Sequence, residues 1–305
     1  MFERQCWRSR QHPPQANRHR HRPFFLLRPQ TQSLTSPLNA LRADLFDIAR
    51  AGIRAVDAGV LVRDHLAQLG NDCPRVSVIA AGKASIAMAH AASVALGERI
   101  AGGLVVAPER PQMPLPFETI VGEHPQPGAG SEAAARRALT IAGAVPPDAL
   151  LLVLISGGAS SLLALPAEGL TLEDKRAATG VLLRSGADIH ALNTVRKHLS
   201  AIKGGRLAAA CAARTVALVL SDVVGDDLSV IASGPTVADP STYGDAFTVI
   251  DRFGGRDAYP PAVVAHVMAG SRGERPESPK PETRRLGAPY NARRRTPSCH
   301  GGRCC

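Results

Sequence analysis

Aromatic residues are scarce in this chain of 305 residues, in which one Trp, three Tyr and seven Phe make up 4%. Binding of single-stranded nucleic acid relies on aromatic side chains that stack on bases, so this scarcity argues against a specific nucleic-acid partner. The sequence also contains no apolar run of the about 20 residues that a membrane-spanning helix needs. We therefore expect a soluble, cytoplasmic protein with no membrane partner.

Cysteine is also rare, and its spacing excludes two further classes of protein. The six cysteines are Cys6, Cys73, Cys211, Cys299, Cys304 and Cys305. They show neither the paired spacing of a zinc site nor the dense framework of a small disulfide-bonded domain. We expect no cysteine metal site, and we interpret the two central cysteines as buried packing residues.

The middle of the chain has no net positive charge, although the net charge of the whole chain is +10. Residues 1–36 and residues 271–305 each carry a net charge of +6, which leaves −2 for residues 37–270. This distribution predicts a globular domain over 37–270 between two basic segments. We interpret 1–36 as a leader that is disordered or that is translated from a wrong start site, with a transit peptide as the alternative. We interpret 271–305 as a disordered tail that could be translated out of frame.

Continuous Val, Ile and Leu runs alternate with helical patterns along residues 37–270. Examples are "VSVIAA", "LLLVLI" and "TVALVL", and the pattern "TLED" from Thr171 to Asp174 is typical of a capped helix start. Strands of this kind are buried on both faces of a parallel sheet. The sequence thus predicts a Rossmann-like, three-layer α/β/α sandwich with a mostly parallel sheet, which binds ligands beyond the carboxyl ends of its strands.

The first strand ends in "AAGKAS", where Gly82 and Lys83 precede a helix. Backbone N–H groups, a helix start and an ammonium group together favour an anion. The loop is not a Walker A motif, because Ser77 stands where that motif has its first Gly. A G-x-G-x-x-G dinucleotide fingerprint is also absent from this unit.

A second strand ends in "ISGGASS", a cluster of small residues that suits a phosphate or a carboxylate. Its members are Ser156, Gly157, Gly158, Ser160 and Ser161. The cluster lacks the final Gly of the G-x-S-x-G nucleophile elbow, which argues against a hydrolase. Tight packing of strand against helix would explain the glycines but not three hydroxyl groups together.

A third strand ends in "LSDVVGDD", which places Asp222 and Asp226 where carboxylates could hold Mg²⁺ beside nucleotide phosphates. For Asp227 we favour a role in capping a turn. The loop "IASGPT" that follows adds further hydrogen-bond donors for an anion, namely Ser233, Gly234 and Thr236.

The stretch "NTVRKHLSAIKGGRL" concentrates positive charge near Asn193. Arg196 and Lys203 are seven positions apart and would share one face of a continuous helix. Such a face suits a charged substrate or a transferred phosphoryl group, and a solvated face is the alternative. His124 and His198 are candidate bases, although a lone histidine is more often structural.

Five motifs in this order resemble the glycerate 2-kinases (type 2 glycerate kinases, the MOFRL family), a group long labelled as hydroxypyruvate reductases. The motifs are "AAGKAS", "GEHPQP", "LISGGASSLLALP", "LNTVRKHLSAIKGGRLA" and "LSDVVGDDLSVIASGPTVADPST", and the resemblance covers about Leu38 to Gly270. It implies ATP-dependent phosphorylation of D-glycerate at the 2-hydroxyl, with Mg²⁺. Lys83 corresponds to the lysine of the family's "GK" loop, and Ser156 to Ser161 correspond to its Ser-Gly-Gly loop.

In a kinase of this family, Lys83 and the Ser-Gly-Gly loop would form the cradle. Arg196 or Lys203 would stabilise charge on the phosphoryl group, and Asp222 or Asp226 would hold Mg²⁺. The sequence leaves open which loop binds ATP and which binds D-glycerate.

The resemblance also implies a C-terminal domain, and nothing after about Gly270 resembles it. We therefore expect impaired turnover, and an exposed apolar face that favours a homo-oligomer. The alternatives are an NAD(P)-dependent hydroxypyruvate reductase, which would need the missing dinucleotide fingerprint, or a non-catalytic fragment.

Overall fold

The computed structural model describes residues 35–68, 75–221, 223 and 225–281. Cys73, Asp222 and nearly all of the predicted leader lie outside this range. The boundary between two compact units of the chain falls between Gly52 and Ile53.

The described residues form α-helices, parallel strands and short 3-10 turns. The helices are α1 (Thr35–Ala55), α2 (Ala58–Leu66), α3 (Ser85–Leu96), α4 (Ala129–Ala144), α5 (Ala159–Leu162), α6 (Leu172–Arg184), α7 (Ile189–His198), α8 (Arg206–Ala209), α9 (Tyr243–Arg252) and α10 (Pro261–Ser271). The strands are β1 (Val76–Ala81), β2 (Ile100–Ala107), β3 (Glu118–Val121), β4 (Leu150–Ile155) and β5 (Arg214–Val219). The 3-10 turns are Gly97–Arg99, Ile231–Ser233 and Arg256–Ala258. No helix in the described part is both long and apolar enough to cross a membrane.

Helix α1 carries the predicted apolar stripe, and its side chains are exposed: Leu38, Leu41, Leu45, Ile48 and Ile53. The sequence pattern predicts that this helix continues to Gly59, but it ends at Ala55. The reason is a new helix start, since the Asp57 carboxylate accepts a hydrogen bond from Val60 N at 2.8 Å and caps α2. Gly59 lies inside α2 and is buried.

The five strands form one parallel sheet in the order β3-β2-β1-β4-β5. The chain runs outward from β1 to β2 and β3, then returns to the other side of β1 for β4 and β5. The direction of winding therefore changes between β1 and β4, which is where open α/β sheets bind ligands. All carboxyl ends lie at one edge, as predicted.

Helices cover both faces of the sheet, which confirms the three-layer sandwich. Val78 and Leu152 point to one face and pack with residues of α2 and α3. Ile79 and Leu151 point to the other face and pack with residues of α4, α5 and α8. Every residue of β4 is buried, as expected for a central strand covered on both sides.

A separate apolar cluster joins α6, α7, α9 and α10. The start of the predicted tail belongs to this part of the fold, which corrects the prediction that disorder begins at 271. The Glu277 carboxylate accepts a hydrogen bond from Tyr243 N at 2.9 Å and contacts His198 at 3.2 Å. Polar contacts, which leave no apolar pattern in the sequence, hold this segment. For residues 282–305, which lie outside the described part, the tail stays a prediction.

Helix α6 begins with the predicted capping box, in which Thr171 and Asp174 exchange hydrogen bonds. We expect T171A to lower the free energy of unfolding by about 1 kcal/mol, because Asp174 N loses its acceptor, the Thr171 hydroxyl. In the control T248A, an exposed hydroxyl that donates to Gly244 O within α9 is removed, and we expect little change. Urea unfolding of both variants checks this, and equal losses would contradict it.

Candidate active site at the carboxyl edge of the sheet

The loops after β1 and β4 are locked together by backbone contacts. Lys83 N donates to Gly157 O at 2.9 Å, and Ala84 N donates to the Ser156 hydroxyl at 3.0 Å. A Cβ on Gly82, whose φ is +128°, would lie 2.1 Å from Ser156 Oγ. Glycine is thus required at Gly82, and two loops predicted to form one cradle do meet.

The Ser-Gly-Gly loop presents unused amide groups. Gly157 and Gly158 line a cavity, and within the described residues their N–H groups donate no hydrogen bond. A Cβ on Gly158 would lie 3.0 Å from the His124 ring and 3.4 Å from Lys83 Cγ. Lys83 and His124, both exposed, therefore flank this loop. Free amides beside a lysine can receive an anion.

The loop after β3 is attached to the same site. The Ser161 hydroxyl donates to Pro125 O at 2.6 Å. The Glu123 carboxylate accepts hydrogen bonds from Gly130 N at 3.0 Å and from Ser131 N at 2.9 Å, so it caps α4. Burial raises the pKa of Glu123, but these hydrogen bonds outweigh it and leave the pKa below its ordinary value. Glu123 is thus an anchor for the loop that carries His124.

Both predicted cations reach Ser160. Arg196 Nη2 donates to the Ser160 hydroxyl at 2.6 Å. Lys203 Nζ contacts Ser160 O at 2.9 Å, Ser160 Oγ at 3.2 Å and Ala232 O at 3.1 Å. The prediction that Arg196 and Lys203 share one face of a continuous helix was wrong, because α7 ends at His198 and Lys203 lies beyond it. Turns after α7 bring Lys203 back to the site.

The loop of residues 231–234 closes the site from the other side. The Ser233 hydroxyl donates to Asn193 Oδ1 at 2.7 Å and lies 3.3 Å from Ser160 Oγ. Ala232, Ser233 and Gly234 have φ values of 54°, 61° and 60°, a run of left-handed residues that is costly for the two that are not glycine. The predicted residues Asn193, Ser233 and Gly234 therefore belong together in space.

These elements enclose a cavity of about 190 Å³. Its lining consists of Ser156, Gly157, Gly158, Ala159, Ser160, Ile189, Asn193, Arg196, Val223, Val230, Ile231 and Ala232. Of the predicted residues, Gly82, Lys83, Ser161, Lys203, Ser233, Gly234, Thr236 and Asp226 do not line it. Among the described residues Arg196 is thus the one cation in the lining, and Lys203 contacts the lining residue Ser160.

Positive charge around Ser160 is buried without a carboxylate partner. Burial, reinforced by the charges of Arg196 and Lys175, lowers the pKa of Lys203 well below its ordinary value. Burial also lowers the pKa of Arg196. Within the described residues, the ion pairs include no partner for Arg196, Lys203 or Lys175. Such a charge excess suits an anionic ligand.

Sequence reasoning missed Lys175, which lies on the inner face of α6 and is 7% exposed. Its Nζ donates to Leu165 O at 3.1 Å. The sequence did contain a sign of this burial, because Lys175, Ala178 and Leu182 follow the spacing of the buried face of a helix. Burial, with a smaller contribution from Arg196, lowers the pKa of Lys175 to about 7.

The predicted metal ligands are only partly described. Asp227 Oδ1 accepts a hydrogen bond from Ser229 N at 2.8 Å, which agrees with the turn role predicted for it. Asp226 lies in the same loop after β5, while Asp222 is outside the described range. Among the described residues, this loop included, no three His, Cys, Asp or Glu side chains group as a metal site. Mg²⁺ needs only one or two carboxylates when phosphates complete its coordination, so Asp226 is chemically suited to it.

His198, the other candidate base, has a structural role. Its Nδ1 lies 2.8 Å from Thr194 O, and its Nε2 lies 3.2 Å from Glu277 Oε2. The side chain is buried, so neither ring nitrogen is available to a substrate. The neighbouring Lys197 forms a buried ion pair with Asp239 at 3.2 Å.

Comparison with known proteins assigns the chain to a family. The model of a family described as domain of unknown function DUF4147 matches residues 44–268. A relative from Agrobacterium vitis, named provisionally as a hydroxypyruvate reductase, is 47% identical over 208 residues, which are 66% of this chain and 48% of the relative. The D-glycerate 2-kinase of Thermotoga maritima is 43% identical over 218 residues, which are 70% of this chain and 52% of that enzyme.

A solved structure supports the same assignment. The crystal structure of a glycerate kinase from Thermotoga maritima matches 79% of this chain and 56% of its own, with a TM-score of 0.72 and 40% identity. The chain thus spans about half the length of the curated relatives it matches.

Proposed function

The chain belongs to the DUF4147 family and has relatives named glycerate 2-kinases, and from this premise we propose that it transfers the γ-phosphoryl group of ATP to the 2-hydroxyl of D-glycerate. One observation carries the proposal. Free amides of Gly157 and Gly158 and the guanidinium of Arg196 line one cavity at the strand ends. Phosphoryl transfer needs positioning and electrostatic stabilisation of this kind more than it needs a covalent intermediate.

In the proposed reaction, the 2-hydroxyl oxygen forms a bond to the γ-phosphorus while the bond to the bridging β–γ oxygen breaks. ADP leaves, and the hydroxyl proton passes to a base. Arg196 would stabilise the charge on the transferred group, because its guanidinium lies in the cavity wall. Lys203 would act through Ser160, since its described contacts are to Ser160 and to Ala232. Lys83 would contact the phosphates from the other side of Gly158.

His124 is the better of the two predicted bases. It is exposed beside Gly158, and it makes no hydrogen bond to any other described residue, so its ring is free to accept the hydroxyl proton. We therefore assign the proton acceptor role to His124 and not to His198. Geometry comes first in such an assignment.

Mg²⁺ would be held by Asp226, together with Asp222, in the loop after β5. When bound, it would neutralise charge on the nucleotide phosphates. The residues of the chain would still provide the amide, guanidinium and ammonium contacts described above.

The function is tested by measuring ADP formation with D-glycerate and Mg²⁺, and by coupling the product to enolase. We expect enolase to convert the product, because enolase acts on 2-phosphoglycerate. A calorimetric titration of the chain with ATP provides a measurement that does not depend on turnover. Absence of both ATP binding and ADP formation would refute the proposal.

Hydroxypyruvate reduction is the second candidate, because a relative 47% identical to the chain carries that name. NADH oxidation that requires hydroxypyruvate would support it and would contradict the kinase. We expect no such oxidation, since the sequence lacks the glycine fingerprint that holds a dinucleotide pyrophosphate.

A further inference from the structure

Three cationic side chains from different segments influence one another electrostatically at the cavity that Arg196 lines. Arg196 comes from α7, Lys203 from the turns after it, and Lys175 from α6. Lys175 and Lys203 are 7% and 2% exposed. Among the described residues, their Nζ atoms contact only neutral oxygens of Leu165, Ser160 and Ala232. Lysine is almost never buried in this way without a charged partner.

The surroundings do not supply the missing negative charge. Near Lys175, Arg196 opposes its protonation, and Glu132 from α4 favours it weakly. Lys175 and Arg196 in turn lower the pKa of Lys203. Glu132 is itself paired with Arg136 at 2.6 Å. His124 lies beside Gly158, one of the residues that line the cavity. A charge excess that the described chain does not neutralise is compensated when an anion enters the cavity.

We propose that Lys175 and Lys203 take up a proton when a doubly charged oxyanion binds at Arg196 and Ser160. This inference rests on the proposed function, because it concerns the same cavity. A doubly charged oxyanion is the expected class of ligand, since two negative charges neutralise the buried cations better than one. The cavity therefore receives the phosphoryl end of the nucleotide, in preference to the singly charged carboxylate of D-glycerate.

Linkage gives the direction of the pH effect. A bound anion raises the pKa of both lysines, so the protonated protein binds it more tightly. The pKa of Lys175 is about 7. Well below that pH the lysine is already charged, so anion binding adds no proton to it. Above about pH 7 the uptake grows, and affinity falls by up to about tenfold per pH unit for each proton bound.

Sulfate is a suitable probe, because it stays doubly charged throughout this range and adds no titration of its own. Calorimetry of the chain at pH 8 in buffers of different ionisation enthalpy measures the protons bound. We expect an uptake of about half a proton or more per sulfate, and weaker binding of acetate at the same pH.

Two variants isolate Lys175. In K175M the uptake at pH 8 should fall below the wild-type value, because one proton acceptor is gone. In K175R the uptake should fall equally, while sulfate binding at pH 8 becomes at least as tight as in the wild type, because the charge is permanent. R137M, which removes an exposed ion pair with Glu118, should leave the uptake unchanged.

The possible results distinguish a failure of proton uptake from a failure of the proposed kinase function. If neither sulfate nor ATP binds, the anion cavity itself is refuted, and the proposed function fails with it. If sulfate binds without proton uptake, or if K175M and K175R both keep the wild-type uptake, the inference fails while the kinase proposal stands. If K175M does not fold, K175R alone decides, because it keeps a long cationic side chain.

Discussion

G82A is expected to lower the free energy of unfolding by about 3 kcal/mol or more, enough to remove much of the stability of a typical domain. The added Cβ would lie 2.1 Å from Ser156 Oγ and 2.6 Å from Ser156 O, so the loops after β1 and β4 would have to separate. The φ of +128° at this position adds backbone strain for any residue except glycine. Urea unfolding measures the loss.

G143A provides the matched control for this substitution. Gly143 lies inside α4, and the nearest atom to a new Cβ outside the neighbouring backbone of that helix is Ala210 O at 3.8 Å. Because alanine favours a helix more than glycine does, we expect a gain of about 0.5 to 1 kcal/mol. A G82A variant as stable as the wild type would show that the two loops are not locked together.

R196M is expected to weaken ATP binding by about 100-fold, and to reduce any ADP formation by at least that factor. The guanidinium is the cationic group in the cavity lining, and methionine keeps the length of the side chain without its charge. The loss of a charge-assisted hydrogen bond is worth about 1.5–3 kcal/mol. Calorimetric titration with ATP checks the binding.

R137M again serves as the control, because Arg137 is exposed and its pair with Glu118 lies on the surface of the domain. We expect its affinity for ATP to match that of the wild type. The R196K variant should recover only part of the lost affinity, since lysine cannot present the planar pair of donors. If R196M binds ATP as tightly as the wild type, the anion does not lie against Arg196.

The fold could be predicted from the sequence because local and global signals agree. Strands such as β4 are apolar at every position, and α6 carries its capping box at Thr171 and Asp174. Each of these features lies within a short stretch of sequence, and each predicts one kind of secondary structure. The end of α1 was less predictable, because Asp57 and Gly59 both act as helix signals and the cap at Asp57 prevails.

The site was predicted in outline, since parallel strands bring their carboxyl ends to one edge. The roles of individual side chains depend on contacts between distant segments, which a sequence pattern does not show. Ser156 and Ser161 bind the neighbouring loops through Ala84 N and Pro125 O, so their hydroxyls hold the cradle together. Lys175 was missed because its burial depends on the packing of α6, although its spacing gave a clue.

The central claim is that the loops after β1 and β4 and the side chain of Arg196 bind the phosphate end of ATP. An NMR titration of ¹⁵N-glycine-labelled protein with ATP tests it most directly, with resonances assigned by substitution. We predict that the amide resonances of Gly82, Gly157 and Gly158 shift most, and that R196M abolishes these shifts at the same ATP concentration. Saturable shifts confined to glycines away from this edge, such as Gly143 and Gly180, would contradict it.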